Sequence, residues 1–217
     1  FKNCINLLNQ IQKNDKQCRK LTVSLSGGPD SMVLIYLLSK LRIKYNIKVD
    51  AFYLNYNNRI ESLLEEHMLL NFCSNIRVPL FIHRITHLKR NSSKRNFYED
   101  VTRDIRFKMY KNLGGNIVLG HIKEDLIENI WSNFCGGRDL FKLHKIESIC
   151  NIQDVNLYRP LCRVEKQLIY DFAHSFYIPY LKNTTPNWSN RGKLRNEFLP
   201  MVEKQFGKDT EKKILYL

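Results

Sequence analysis

The chain contains no CxxC pair, no Gly-x-Gly-x-x-Gly turn, no lysine-bearing Walker loop and no apolar run near the roughly 18 residues of a membrane span. Each absence removes a class. Zinc knuckles and dithiol redox sites need paired cysteines, whereas the six here (Cys4, Cys18, Cys73, Cys135, Cys150 and Cys162) are scattered and read as reduced thiols of an intracellular protein. The missing glycine turns exclude the dinucleotide-binding and P-loop NTPase fingerprints. The chain starts at Phe1 without methionine and shows no secretory apolar region, so the expectation is a soluble, excised domain with no membrane partner. Acidic residues are also few: 21 against 35 lysines and arginines, a formal charge of +14. That excess points to a polyanion, with RNA, DNA and an anionic membrane all compatible, unless it reflects a lysine- and asparagine-rich genome.

What is present is enough for a core. With 217 residues and 43% hydrophobic content, neither a fibre nor a disordered tail is indicated. Extended runs at Leu21 to Leu25, Val49 to Leu54, Leu80 to Ile85 and Ile117 to Leu119, with a weaker one before Arg159, read as strands. Between them, Met32 to Leu41, Ile60 to Ile76, Tyr98 to Leu113 and Leu126 to Phe134 carry apolar residues at three- and four-residue steps. This order predicts an α/β fold: a doubly wound, mostly parallel five-stranded sheet with a helical C-terminal segment. The expected organisation is a single domain over 1–217, with a core at about 20–162 and a helical part at about 163–217. The basic stretch Thr86 to Phe97 reads as a solvated loop or an RNA-facing flap, and Gly136 to Gln153 as a polar connection.

The stretch SLSGGPDSMVL, residues 24–34, places two glycines and three hydroxyls between a strand and a helix. Unpaired backbone N–H groups and the positive helix end meet there, which suits phosphate. Gly27 and Gly28 allow close approach, while Ser26 and Ser31 offer hydroxyl donors. Asp30 would repel phosphate unless a divalent cation lay between them, so magnesium is expected; a helix-capping role is the alternative. Further on, GHIKEDLIEN (120–129) opens a helix directly after a strand, and Glu124, Asp125 and Glu128 share helical spacing. Carboxylates so gathered need a cation. An acidic first turn favourable to the helix dipole accounts for Glu124 and Asp125, but not for Glu128 or His121.

SGGPDS matches the SGGxDS signature of the PP-loop ATP pyrophosphatases, and from about Leu21 to Pro200 the chain resembles the catalytic domain of the tRNA(Ile)-lysidine synthetases. His121, Asp125 and Glu128 match the family's GHxxDDxxE pattern, with Glu124 replacing an aspartate. YEDVTRDIRFKMY resembles its ExxxRxxRY-like helix through Glu99, Arg103 and Arg106, where a solvated Glu–Arg helix pair is the alternative to a phosphate or RNA contact. LNYNNRIESLLEE resembles a strand-end segment and carries over Asn55 and Arg59. The RPL at 159–161, Lys166, and the block around Arg195 and Asn196 resemble its later motifs, although Asn183 stands where an aspartate is common and Phe198 and Leu199 where an arginine is sought. Trp188 is placed to stack on a base or to be buried.

The resemblance implies ATP and magnesium as cofactors, free L-lysine and CAU-anticodon tRNA(Ile) as partners, and ligation of lysine to the wobble cytidine through an adenylated tRNA. It implies an ATP loop of Ser26, Gly27, Gly28, Asp30 and Ser31, a metal at Asp30 and Asp125, and catalytic roles for Asp30, His121, Asp125 and Glu128. Substrate and RNA contacts fall to Asn55, Arg59, Arg103, Arg106, Glu124, Arg195 and Asn196. The compartment expected is cytoplasmic, whether of a bacterium, an organelle or a virus host. A tRNA 2-thiolating enzyme and a noncatalytic RNA-binding relative are the competing readings; the first commonly uses paired cysteines.

Overall fold

The computed structural model describes residues 2–14, 20–57, 61–86, 95–137, 139, 147–182, 189–213 and 215. Helix α1 (Lys2–Asn14) precedes strand β1 (Lys20–Leu25), helix α2 (Pro29–Leu41), strand β2 (Lys48–Asn55), helix α3 (Ser62–Asn75) and strand β3 (Leu80–Arg84). Helix α4 (Arg95–Asn112), strand β4 (Asn116–Leu119) and helix α5 (Lys123–Cys135) follow, then the hairpin of β5 (Ile149–Ile152) and β6 (Val155–Tyr158). The C-terminal part holds α6 (Lys166–Ser175), α7 (Asn190–Lys193), a π-helical turn (Leu194–Phe198), α8 (Leu199–Phe206) and α9 (Thr210–Lys213).

The strands form one sheet in the order β3-β2-β1-β4-β6-β5, parallel throughout except for β5 against β6. All five expected strands are present. The sixth, β5, is an antiparallel edge inside the expected polar connection, and only part of that connection lies within the described residues. Helix α1 also lies outside the expected elements; its Cys4, Leu7, Leu8 and Ile11 are buried in the main core. Residues 95–97 of the expected basic loop belong to α4, and 87–94 lie outside the described residues.

Strand alternation assigns the two faces of the sheet. Val49, Ala51 and Tyr53 join Leu21, Val23 and Leu25 in a core with α1, α2 and α3, while Phe52 and Leu54 join Ile117, Leu157 and Tyr110 in a core with α4. Helix α2 is apolar nearly all round, from Met32 through Leu41, because it runs through the larger core. The chain leaves β1 towards β2 and β3, then returns to β1's other side through β4. The carboxyl ends of β1 and β4 therefore flank the crevice where such sheets bind ligands. Among the described residues no helix is long and apolar enough to cross a membrane.

Candidate active site

The crevice begins with a loop that folds on itself. Ser31 Oγ accepts from the Ser26 amide at 3.1 Å and donates to Gly28 O at 3.1 Å, and the Gly28 amide donates to Ser26 Oγ at 3.3 Å. The hydroxyls thus brace the turn while Pro29, preset for the first helical position, starts α2. Gly27 is required by its backbone conformation and Gly120 by space. Gly27 has φ +76° and its surface is covered by Leu181, whose amide donates to Gly27 O at 2.8 Å; Gly120, just after β4, lies against the backbone of Asp30 and Ser31.

Three helix starts converge beside this loop. Asp30, in the first turn of α2, receives the ammonium of Lys166, the first residue of α6, at 2.7 and 2.8 Å on its two oxygens. Lys166's own amide donates to Glu124 Oε1 in the first turn of α5 at 2.8 Å. Burial pushes Asp30's carboxyl above its ordinary range; Lys166 opposes that shift and the nearby charge of Asp125 adds to it. The side chain of Lys166 also lies over the Tyr170 ring, 5.1 Å from its centroid.

The acidic cluster is closed by arginines. Asp125 Oδ2 accepts from the Ile122 amide at 2.9 Å, capping α5, and its Oδ1 accepts from Arg191 Nη2 at 2.9 Å. Glu128, only 3% exposed, receives Arg191 Nε at 2.8 Å on one oxygen and Arg195 Nε at 2.6 Å on the other. Arg191 and Arg195 are four residues apart, and Arg195 lies in the π-helical turn, a distortion that recurs at functional sites. Two cations thus hold a carboxylate that burial alone would disfavour.

His121 Nδ1 accepts from Arg159 Nε at 3.0 Å. Burial lowers the imidazole from 6.5 to about 4, with Asp125 opposing and Arg159, Arg191 and Arg106 reinforcing. Arg106, on α4, has its Nε buried without a hydrogen-bond partner, and its charge also reaches Tyr110, whose hydroxyl donates to Ser24 Oγ at 2.8 Å. His121 thus lies within reach of both the Asp125 carboxylate and the guanidinium groups of Arg159, Arg191 and Arg106.

The structure brings together Ser26, Gly27, Gly28, Asp30, Ser31, His121, Asp125, Glu128, Arg106 and Arg195. Other expected contacts differ. Asn55 is buried, donating to Glu66 Oε2 and accepting from the Asn57 amide, so its side chain shapes the end of β2 and offers no free group to RNA. Glu124 caps α6 through one oxygen and buries the other without a partner. Arg103 is exposed on α4 with its guanidinium 5.8 Å from the Phe107 ring centroid, and Asn196 is exposed in the π turn. Arg59, Asn183 and Trp188 lie outside the described residues. Sequence reasoning missed Arg191 altogether; its spacing from Arg195 was the available signal.

Among the described residues no group of three or more His, Cys, Asp and Glu side chains is placed to hold a metal ion by itself. Asp30 and Asp125, electrostatically coupled at the mouth of the phosphate loop, suit magnesium, which takes one or two carboxylates and fills its shell with water and substrate phosphates. A cation there has to displace Lys166 from Asp30 and Arg191 from Asp125, since the oxygens of both carboxylates are taken.

A family profile described as a PP-loop domain matches residues 2–202. The chain is 27% identical over 97% of its length to a tRNA(Ile)-lysidine synthase of Clostridioides difficile (strain 630), covering 46% of that protein. It is 25% identical over 96% of its length to a tRNA(Ile)-lysidine synthase of Chlamydia muridarum, covering 68% of it. It thus spans between about half and two thirds of these relatives. Among solved structures it is similar to the U34-tRNA thiolase NcsA from Methanococcus maripaludis, with its iron–sulfur cluster: TM-score 0.71, 19% identity, 99% of this chain and 76% of that one. A phosphoadenylyl-sulfate reductase from Candida auris, in a phosphate complex, matches with TM-score 0.56 and 12% identity over 82% of this chain and 85% of that one. These two likenesses concern the fold.

Proposed function

The chain belongs to the PP-loop domain family, and on that premise we propose that it ligates lysine to the wobble cytidine of CAU-anticodon tRNA(Ile), consuming ATP and releasing AMP and pyrophosphate. The observation that carries the reading is the meeting of an intact SGGPDS loop with an arginine-held carboxylate cluster at one sheet crevice. A phosphate site and an amine site then lie side by side. The likeness to lysidine synthases and the +14 charge support the RNA substrate.

In the first step the cytosine O2 attacks the α-phosphorus of ATP and pyrophosphate leaves with the electrons of the broken P–O bond. The positive end of α2 offers its backbone N–H groups to the growing charge. Asp30 and Asp125 would hold magnesium, which neutralises phosphate charge when bound. In the second step the lysine ε-amine, having lost its proton, adds at C2 and AMP departs. Asp125 and Glu128 would hold the amino acid, whose ammonium takes the place of the Arg191 and Arg195 guanidinium groups that occupy their oxygens in this structure. The wobble base must be splayed out of its stack to reach the crevice.

Sulfur delivery is the competing chemistry, and burial works against it at three cysteines. It pushes the Cys4 thiol to about 11 and Cys73 to about 12, and it raises Cys162, so these remain protonated and poorly nucleophilic. The test is incubation with ATP, magnesium, radiolabelled lysine and CAU-anticodon tRNA(Ile), following label into RNA together with AMP. Label that vanishes when the wobble cytidine is replaced supports lysidine synthesis. AMP without label points to another nucleophile, and neither signal in the full-length natural protein removes the enzymatic reading.

A further inference from the structure

We propose that Arg159 is a positioning residue for His121, fixing the ring's proton on Nε2 so that His121 meets its ligand as a neutral N–H donor. Arg159 follows β6 and is 5% exposed. A guanidinium carries only donors, so the nitrogen it addresses must offer a lone pair. Its Nε lies 3.0 Å from His121 Nδ1, so Nδ1 is the acceptor and the proton of a neutral ring resides on Nε2.

The guanidinium has little freedom to turn away. Its Nη1 donates to Glu147 O at 2.7 Å and to Cys150 Sγ at 3.2 Å, which ties it to the start of the β5–β6 hairpin. No carboxylate contacts Arg159 among the described residues, so its charge stays uncancelled beside the ring. The charged groups that bear on His121 are Asp125 on one side and Arg159, Arg191 and Arg106 on the other. Three cations against one carboxylate, with burial, oppose an imidazolium.

Two roles are thereby closed to His121 at neutral pH. It has no second proton to donate as an imidazolium, and Nδ1, already an acceptor, is unavailable as a base. Nε2–H remains, with no hydrogen-bond partner among the described residues. A neutral imidazole donor stabilises a developing negative oxygen without surrendering its proton. The oxygen that fits is one on phosphorus, since Gly120, the residue before His121, packs on the phosphate loop at Asp30 and Ser31. This last assignment rests on the proposed adenylation; the tautomer does not.

The test uses the whole chain labelled with 15N-histidine. Two-bond proton–nitrogen correlation spectra distinguish Nε2–H, Nδ1–H and doubly protonated rings, and the signal lost in His121→Asn identifies the residue. The wild-type ring is expected as neutral Nε2–H at neutral pH, a measurement that stands even if no Arg159 variant folds. Arg159→Met should give a neutral ring of mixed tautomer, and Arg159→Lys, which keeps charge but loses the planar fork, should also relax the tautomer. In both, kcat for ATP-dependent AMP release should fall roughly ten- to hundred-fold with KM for ATP changed less than about two-fold. A wild-type ring protonated on Nδ1, or an Arg159→Met ring and kcat like wild type, overturns the proposal. The expected ring in a wild-type protein that makes no AMP supports the tautomer and defeats the adenylation reading instead.

Discussion

Replacing Gly120 with alanine adds one carbon at the tightest contact of the phosphate loop. The new Cβ would lie 2.9 Å from Ser31 N, 3.0 Å from Ser31 Cα and 3.1 Å from the Asp30 carbonyl carbon. Comfortable carbon contacts begin near about 3.5 Å, so the first turn of α2 must retreat by about 0.5 Å. These neighbours are backbone atoms, with no flexible side-chain end to swing aside. Overpacking of this kind costs about 1–3 kcal/mol. At roughly 2–4 °C per kcal/mol for a chain of this size, Tm should fall by about 2–12 °C. The same retreat moves Asp30 and the loop amides, and misplacement on this scale lowers turnover by roughly ten- to hundred-fold. Gly114→Ala is the control: no atom lies within 4 Å of its Cβ, but its φ of +106° strains an alanine. It should cost stability by about 1–2 kcal/mol while leaving turnover per folded molecule unchanged. Thermal unfolding and ATP-dependent pyrophosphate release, measured well below both Tm values, read the two effects separately. Wild-type turnover in Gly120→Ala, or an equal loss in Gly114→Ala, refutes the steric argument.

Asp30→Ala should abolish AMP formation while tRNA retention on a filter stays near wild type; stability should change by at most about 1 kcal/mol, because the Lys166 left behind is partly exposed. Glu128→Gln should raise the KM for lysine far more than it slows AMP release, and equal effects on both would separate Glu128 from the amine site. His121 titrates near 6.5 when unfolded and at about 4 when folded, so the unfolded state binds more protons between those values and stability falls on acidification. The contribution is at most about 3 kcal/mol and shows as a flatter pH dependence of urea unfolding in His121→Asn; Asp30, with its raised carboxyl, acts in the opposite direction in both proteins. If the +14 charge serves RNA, the logarithm of tRNA affinity should fall steeply with the logarithm of salt, and a flat response returns the charge to composition.

The parts of the fold that were readable are those whose pattern is local. Leu21, Val23 and Leu25 alternate, α2 is apolar for three turns, and the turn between them is built of residues with few other uses. Strand β5 has no such pattern: it is a half-exposed edge in a polar stretch, and its pairing with β6 creates it. In α1 the helical spacing of Cys4, Leu7, Leu8 and Ile11 was visible but diluted by asparagine, glutamine and lysine. At the site, Asp30, Asp125 and Glu128 were found from motifs, yet their partners come from far along the chain. Arg191 lies 63 residues beyond Glu128, and Lys166 lies 136 beyond Asp30. Ion pairs over such separations leave no periodic trace. The hydrogen bonds of Asn55 and Glu124 within the fold are illegible for a related reason, since a motif position does not tell a polar group facing a ligand from one turned inward to brace a helix or a turn.

The meeting of α2, α5 and α6 at their first turns bears on how this site endures sequence change. A positive end made by helix amides belongs to the direction of the chain, and no side-chain substitution deletes it. Mutational drift can exchange an aspartate for the glutamate at 124, or redistribute lysines over the surface, while the attraction for phosphate persists. What drift cannot touch cheaply is the contact of β4's end with the first turn of α2, where Gly120 leaves no room for a side chain. Selection on such a crevice therefore acts on its smallest residue as well as on the charged groups around it.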